Sequence, residues 1–218
     1  MTKGRLEAFS DGVIAILITI MVLELKIPEG ADGHALRGML PAFLTYVLSF
    51  VYLGIYWVNH HHMLHMTERI NGKILWANLH LLFWLSLVPA ATAWLGESHL
   101  AVLPTVLYGA VLLGPAIAYY ILQNAIIAEE GPGSRLGAAV GRDYKGKISP
   151  LLYASGIALA FVNPWISDAI YVLVALMWLV PDPRIEQRLT GHAEHGEAAA
   201  KAPATGRRGA GTASQRRR

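Results

Sequence analysis

The chain has 218 residues, of which 54% are hydrophobic and only 15% are charged, and its formal net charge is +3. A soluble domain carries about 25% charged residues, so this composition excludes a water-soluble globule, a disordered chain and a fibrous one. The sequence contains no cysteine, which excludes disulfides and thiol chemistry.

Six segments approach the roughly 20 apolar residues that a helix needs to cross a bilayer core. They cover about residues 6–27, 39–62, 74–95, 101–127, 148–163 and 164–181. No small-x-small cleavage site follows the first segment, so it is interpreted as mature structure rather than as a signal peptide. The last two segments are short, and Asn163-Pro164 between them favours a helical hairpin over the alternative, one long kinked span. We therefore predict an all-α integral membrane protein with a six-span domain over residues 1–181.

The basic residues indicate how these spans are oriented. With six spans, sixteen of the eighteen Lys and Arg lie on the side of the two termini, and only Lys26 and Arg37 lie on the other. The positive-inside rule then predicts cytoplasmic termini. Residues 182–218 form a basic, Ala/Gly-rich tail that buries little apolar surface, so it is predicted to be disordered. Because this tail holds eight of the basic residues, the isoelectric point of about 9.2 does not indicate a nucleic-acid partner.

The first span opens with a carboxylate, Asp11, in "RLEAFSDGVIAILITIMVLELKIPEG" (residues 5–30). An ionisable group at the edge of a span is costly and normally has a partner or a function. One interpretation is a polar tie to Asn78 or to the region of Trp57, Asn59 and His60–His62, and the other is a proton relay. On a helical wheel Asp11 lies about 140° from Ile16, which favours the tie.

The same span carries an aliphatic stripe of Ile16, Ile20 and Leu23. Such a stripe is more often a lipid-facing or packing face than the lining of a pore. Thr19 lies about 60° and Glu24 about 80° from Ile16 around the helix. Acidic residues at the outer end would gather cations, although they would equally suit a solvated loop.

Histidines cluster at the end of the second span, in "WVNHHHMLH" (residues 57–65). Imidazoles three or four residues apart share one helix face, so His61 or His62 with His65 could bind a metal. The alternative is an interfacial cap that bonds to lipid or to helix ends. No second set of ligands and no soluble-enzyme motif is present, so we predict no metal, no cofactor and no enzyme, and we retain a membrane metalloenzyme only as a minor hypothesis.

The segment "RLEAFSDGVIAILITIMVLEL" resembles the Arg-x-x-x-Phe-Ser-Asp signature of the transmembrane protein 175 family, the potassium channels of endolysosomes and their single-repeat prokaryotic homologues. Here the signature residues are Arg5, Phe9, Ser10 and Asp11. The resemblance continues through "YWVNHHHML" and "NLHLLFWLSLVP" and covers the first hundred residues. The later spans match mainly in number and hydrophobicity.

This resemblance implies a homotetramer in the plasma membrane of a prokaryote, surrounded by membrane lipid, with a central potassium-conducting pore lined by the first span. It implies a hydrophobic constriction at Ile16, further apolar layers at Ile20 and Leu23, and a polar layer at Thr19. The residues expected to join the first three spans through polar contacts are Arg5, Phe9, Ser10, Asp11, Trp57, Asn59, His60, His61 and Asn78.

The function predicted is a cation channel with modest selectivity for potassium over sodium, closed by dewetting of an apolar neck. Glu24 is predicted to make its outer entrance acidic. The alternative is proton-conducting or proton-coupled transport through Asp11 and the histidines of the second span, since an imidazole titrates near neutral pH.

Overall fold

The computed structural model describes residues 2–28, 30–141 and 143–179, and within these ranges the regular structure is helical. The predicted tail, residues 182–218, lies outside the described residues. The helices are α1 Lys3–Leu23, α2 Gly33–His65, α3 Gly72–Ser86, α4 Val88–Glu97, α5 Val102–Glu130, α6 Arg135–Val140, α7 Tyr144–Leu159 and α8 Pro164–Leu179. A single 3₁₀ turn, Gly131–Gly133, separates α5 from α6.

Four stretches of the described chain are long and apolar enough to cross a membrane: α1, α2, α3 together with α4, and α5. The 21 residues of α1 span about 31 Å at 1.5 Å per residue, close to the thickness of a bilayer core. Helices α7 and α8 have 16 residues each, or about 24 Å, which is shorter than that core. Each of the first four predicted spans therefore contains one helix or helix pair, with α1 ending at Leu23 rather than near residue 27, whereas the last two helices are shorter than a typical span.

The third predicted span is interrupted in the structure. Helix α3 ends at Ser86 and α4 begins at Val88, so Leu87 separates them. Pro89, in the first turn of α4, has no N–H to donate to the carbonyl of Leu85, which explains why the helix breaks at this point.

A tight turn separates α7 from α8. The backbone N–H groups of Val162 and Asn163 both donate to the Leu159 carbonyl at 2.9 Å, and the Asn163 side chain accepts from the Trp165 N–H at 3.0 Å. Pro164 is the first residue of α8, where its missing N–H costs no hydrogen bond. These two helices form a hairpin rather than one kinked helix.

Helix α1 packs on α2, α3 and α4, and α5 packs on α3, α4, α7 and α8. The side of α1 turned toward its neighbours is formed by Leu6, Ser10, Ile14, Leu17 and Met21, all of them buried. The bundle thus fixes one face of α1 and leaves the other uncovered within the chain.

Candidate functional site

The uncovered face of α1 carries the aliphatic stripe. The exposed fractions of Ile16, Ile20 and Leu23 are 57%, 38% and 80%. Thr19 lies among them, and its hydroxyl donates to the Ile16 carbonyl at 2.8 Å, so its own helix satisfies it. This face therefore presents methyl and methylene groups and one internally bonded hydroxyl.

Three buried polar residues connect α1 with α2 and α3. The Asn78 side-chain amide donates to the Ser10 hydroxyl at 2.9 Å, and the Asn78 side-chain oxygen lies 2.7 Å from His60 Nε2. Ser10 in turn donates to the Leu6 carbonyl at 2.9 Å. Their exposed fractions are 1% or less, so each bond is made away from water, where an unpaired polar group is costly.

The direction of these bonds assigns the tautomer of His60. With the Asn78 amide nitrogen turned to Ser10, its oxygen accepts, and His60 Nε2 must donate. Nδ1 is then an acceptor, and it has no protein partner among the described residues. A neutral imidazole suits this buried position, because a charged one would require a second acceptor.

A second, more exposed group of contacts lies beside the first. Trp57 Nε1 donates to the Asp11 carboxylate at 3.1 Å. The Trp57 ring stacks on His61, with ring centroids 6.3 Å apart, and His61 stacks on His65 at 6.2 Å. Asp11 is thus held by an indole on α2, and it accepts this bond with a half-buried carboxylate.

Three of the residues expected to join these contacts lie apart from them. The Asn59 amide donates to the Ile55 carbonyl on its own helix at 2.8 Å. Phe9 is 49% exposed, and Arg5 is exposed and has no side-chain hydrogen bond or ion pair within the described part of the chain. Glu24, also exposed, likewise has no side-chain partner in the described ranges.

Two contacts of the α1 region were not anticipated from the sequence. The Lys3 ammonium donates to the His65 carbonyl at 2.8 Å, where it meets the negative end of α2. At the opposite end, Lys26 forms an ion pair of 2.8 Å with Glu97, the last residue of α4. Lys26 and Glu97 lie too far apart along the chain for the sequence to predict their contact. The contact of Lys3 is of a familiar kind, because a cation is favoured at the C-terminal end of a helix.

Together these contacts hold α1 near both ends and by its buried face, and they leave the aliphatic stripe exposed. The arrangement suits a helix that is fixed in its subunit and presents an apolar surface elsewhere. Among the residues that the structure describes, no three His, Asp or Glu side chains come together around one point where they could hold a metal.

The sequence matches a family model and several named proteins. A model of the family "Endosomal/lysosomal potassium channel TMEM175" matches residues 5–89. A protein from Chryseobacterium sp. named a potassium channel is 58% identical, over 87% of this chain and 98% of the relative. Another potassium channel, from Streptomyces collinus, is 33% identical over 81% of this chain and 91% of its own length. The human endosomal/lysosomal proton channel TMEM175 is 34% identical, over 38% of this chain and 19% of its own length.

The fold has a solved counterpart. The crystal structure of a lysosomal potassium-selective channel TMEM175 homolog from Chamaesiphon minutus superposes with a TM-score of 0.71 at 29% identity, covering 82% of this chain and 96% of that one. The matched residues 5–89 include the signature and the helices that it joins. These findings confirm the resemblance seen in the sequence: this multi-pass membrane protein belongs to the TMEM175 family, whose matched members are ion channels rather than enzymes.

Proposed function

We propose that this chain is a potassium-permeable channel of the prokaryotic plasma membrane. Four subunits of six spans each, with cytoplasmic termini, surround a central pore lined by α1. Residues 1–181 form the channel domain. The support is that two relatives named potassium channels match over 98% and 91% of their own lengths.

The observation that carries this proposal is the division of α1 into two apolar faces. One face is buried within the subunit, and the other exposes Ile16 by 57% and Leu23 by 80%. One helix cannot enclose a pore, so a pore at this stripe requires further copies of the chain around it. Copies of one chain usually assemble into a closed symmetric ring, and the pore then lies on the symmetry axis of that ring.

A ring of Ile16 side chains closes such a pore by expelling water, since a bare cation does not cross a dry apolar neck. Ile20 and Leu23 form further apolar layers, Thr19 adds a hydroxyl layer, and Glu24 concentrates cations at the outer entrance. Selectivity for potassium over sodium is modest, because it comes from partial dehydration at the neck. The contacts of Ser10 with Asn78 and of Asp11 with Trp57 hold α1 while its stripe widens or rotates.

The test is Ile16→Asn in the full chain reconstituted in vesicles. An amide at the neck holds water, so the potassium leak should rise severalfold in a concentration-gradient flux assay. Val22→Asn is the matched control: Val22 is 48% exposed on the same helix but lies about 120° away from Ile16, and its flux should match that of the unmodified protein. Unchanged flux in Ile16→Asn would refute the constriction at Ile16.

The alternative, proton-conducting or proton-coupled transport, draws support from the animal relatives named proton channels. Its residues are less suited to a relay, because His60 is bonded to Asn78 and Asp11 to Trp57. Reversal potentials measured under separate potassium and pH gradients distinguish the two functions. A potential that follows the pH gradient alone would favour the alternative.

A further inference from the structure

A cavity of about 470 Å³ lies behind α1, at the end of the bundle opposite the N-terminus. It is bounded by the C-terminal end of α1 with the segment that follows it, by the first turns of α2 and by the end of α4. Pockets of roughly 300–1,000 Å³ are the size that binds small molecules. Under the proposed topology this cavity faces the outer side of the membrane.

The floor of the cavity is apolar and its rim is charged. Met21, which is 1% exposed, lines it from the buried face of α1, and Met39 and Ala42 line it from α2. Tyr46 lines the cavity from α2 as well. An occupant therefore needs an apolar body to cover this floor.

The charges at the rim select the sign of the occupant. Glu24 and Glu97 both line the cavity, and Lys26 neutralises Glu97 through their ion pair of 2.8 Å. The Glu24 side chain has no partner in the described part of the chain, so one carboxylate remains uncompensated. His99 lines the rim too, and its backbone lies in the left-handed region at φ 47° in the turn after α4. A cation satisfies Glu24 and can also lie against the face of Tyr46.

We propose that this cavity is a binding site for a small organic cation, an ammonium group carrying an apolar body of a few carbon atoms. The ammonium binds Glu24, and the apolar body covers Met21 and Met39. Such a ligand lies against the back of α1 and presses its outer half toward the pore axis, so it lowers potassium flux. The binding itself is independent of the proposed function, whereas the effect on flux rests on it.

The probe is n-hexylammonium chloride, with 1-hexanol and ammonium chloride as controls. Hexanol has the apolar body without the charge, and ammonium has the charge without the body. Thermal unfolding of the purified full chain in potassium-free buffer should show a saturable rise in Tm with hexylammonium and none with either control. An equal rise with hexanol would mean partition into apolar surface and would overturn the proposal.

Two variants locate the site. Glu24→Gln should weaken the affinity for hexylammonium about fivefold, the upper range for one exposed ion pair. Gly38→Leu should abolish the rise in Tm, because Gly38 lines the cavity and a Cβ built there meets no atom within 4 Å, so the larger side chain can begin in open space and occupy the cavity. Gly54→Leu is its matched control on α2: its Cβ is equally unhindered and Gly54 does not line the cavity.

The outcomes separate this inference from the proposed channel. A saturable rise in Tm that survives Gly38→Leu, or that Gly54→Leu also removes, would refute the site. A rise that only Gly38→Leu removes supports it, whatever the flux. Binding without any change in potassium flux would overturn the effect on α1. If the unmodified protein carried no potassium flux at all, the channel function would fail while the site remained.

Discussion

Helix α2 makes buried polar contacts with two groups of helices, and these contacts differ in kind. The first half of the bundle is α1, α3 and the side of α2 that they contact, and the second half is α5, α7, α8 and the side of α2 that faces them. In the first half, α1, α2 and α3 are joined by side chains that bond to one another, Ser10 to Asn78 and Asn78 to His60. In the second half, large tyrosines on α2, α5, α7 and α8 fill the interior, and several of their hydroxyls reach main-chain carbonyls. Tyr52 donates to the Tyr171 carbonyl, and Tyr171 donates to the Thr105 carbonyl at 3.3 Å.

Because the acceptors differ, removing one side chain leaves different groups without a hydrogen-bond partner in the two halves. A main-chain carbonyl inside a helix already accepts an N–H from its own helix, so it tolerates the loss of a tyrosine hydroxyl. His60 Nε2 has no such second partner, and the Ser10 hydroxyl keeps only the bond that it donates to the Leu6 carbonyl. The first half therefore depends on individual polar atoms. The second depends mainly on the volumes that its tyrosines occupy, although the Tyr108 hydroxyl also bonds to the Ser49 hydroxyl at 2.8 Å.

The largest effect is expected for Asn78→Leu, which keeps the side-chain volume and removes both amide bonds. Ser10 and His60 each lose a buried partner, and the cost should be about 3 kcal/mol of the free energy of unfolding, at 1–3 kcal/mol per buried group. Chemical unfolding in detergent micelles measures it. Asn124→Leu is the matched control, because that amide is exposed and donates to the Tyr120 carbonyl on its own helix. Equal losses in the two variants would contradict the comparison.

An intermediate effect is expected for Gly109→Ala in the second half. A Cβ at Gly109 would overlap the Tyr171 hydroxyl and approach the Ile157 side chain, so the tyrosine would have to move. Overpacking of this kind costs about 2 kcal/mol. In Gly54→Ala, the control, the Cβ meets no atom within 4 Å and should not destabilise the protein. Thermal unfolding of both variants gives the result, and a neutral Gly109→Ala would show that this half is not limited by volume.

The sequence predicted the membrane class and the first four spans because long apolar runs leave few alternatives. It did not predict the break at Leu87, since a proline in an apolar run can begin a helix as readily as it can kink one. It did not predict the short α6 either. It predicted short fifth and sixth segments, and the structure has two 16-residue helices there.

The candidate site was predictable to a smaller extent. Both faces of α1 are apolar, so periodicity could not tell buried Ile14 and Leu17 from exposed Ile16 and Ile20; the resemblance did that. Likewise, the sequence does not indicate that Asn78 bonds to Ser10 on another helix while Asn59 bonds to the Ile55 carbonyl on its own helix. Either bond satisfies a buried side-chain amide, so the need for a partner does not distinguish them.

The smallest effect is expected for Tyr171→Phe. This variant is most informative when it is combined with Gly109→Ala. Alone, it removes one hydroxyl whose acceptor, the Thr105 carbonyl, keeps its helical partner, so it should cost about 0.5 kcal/mol. In the Gly109→Ala background the same change removes the atom that the new methyl group overlaps most closely. The double variant should therefore be more stable than Gly109→Ala alone, with a coupling of at least about 1 kcal/mol in a double-mutant cycle of thermal unfolding. Additive losses would show that the hydroxyl is not what requires glycine at this position, and that the Ile157 side chain or the Tyr171 ring, at 2.7 and 2.8 Å from the built Cβ, rejects the methyl group instead.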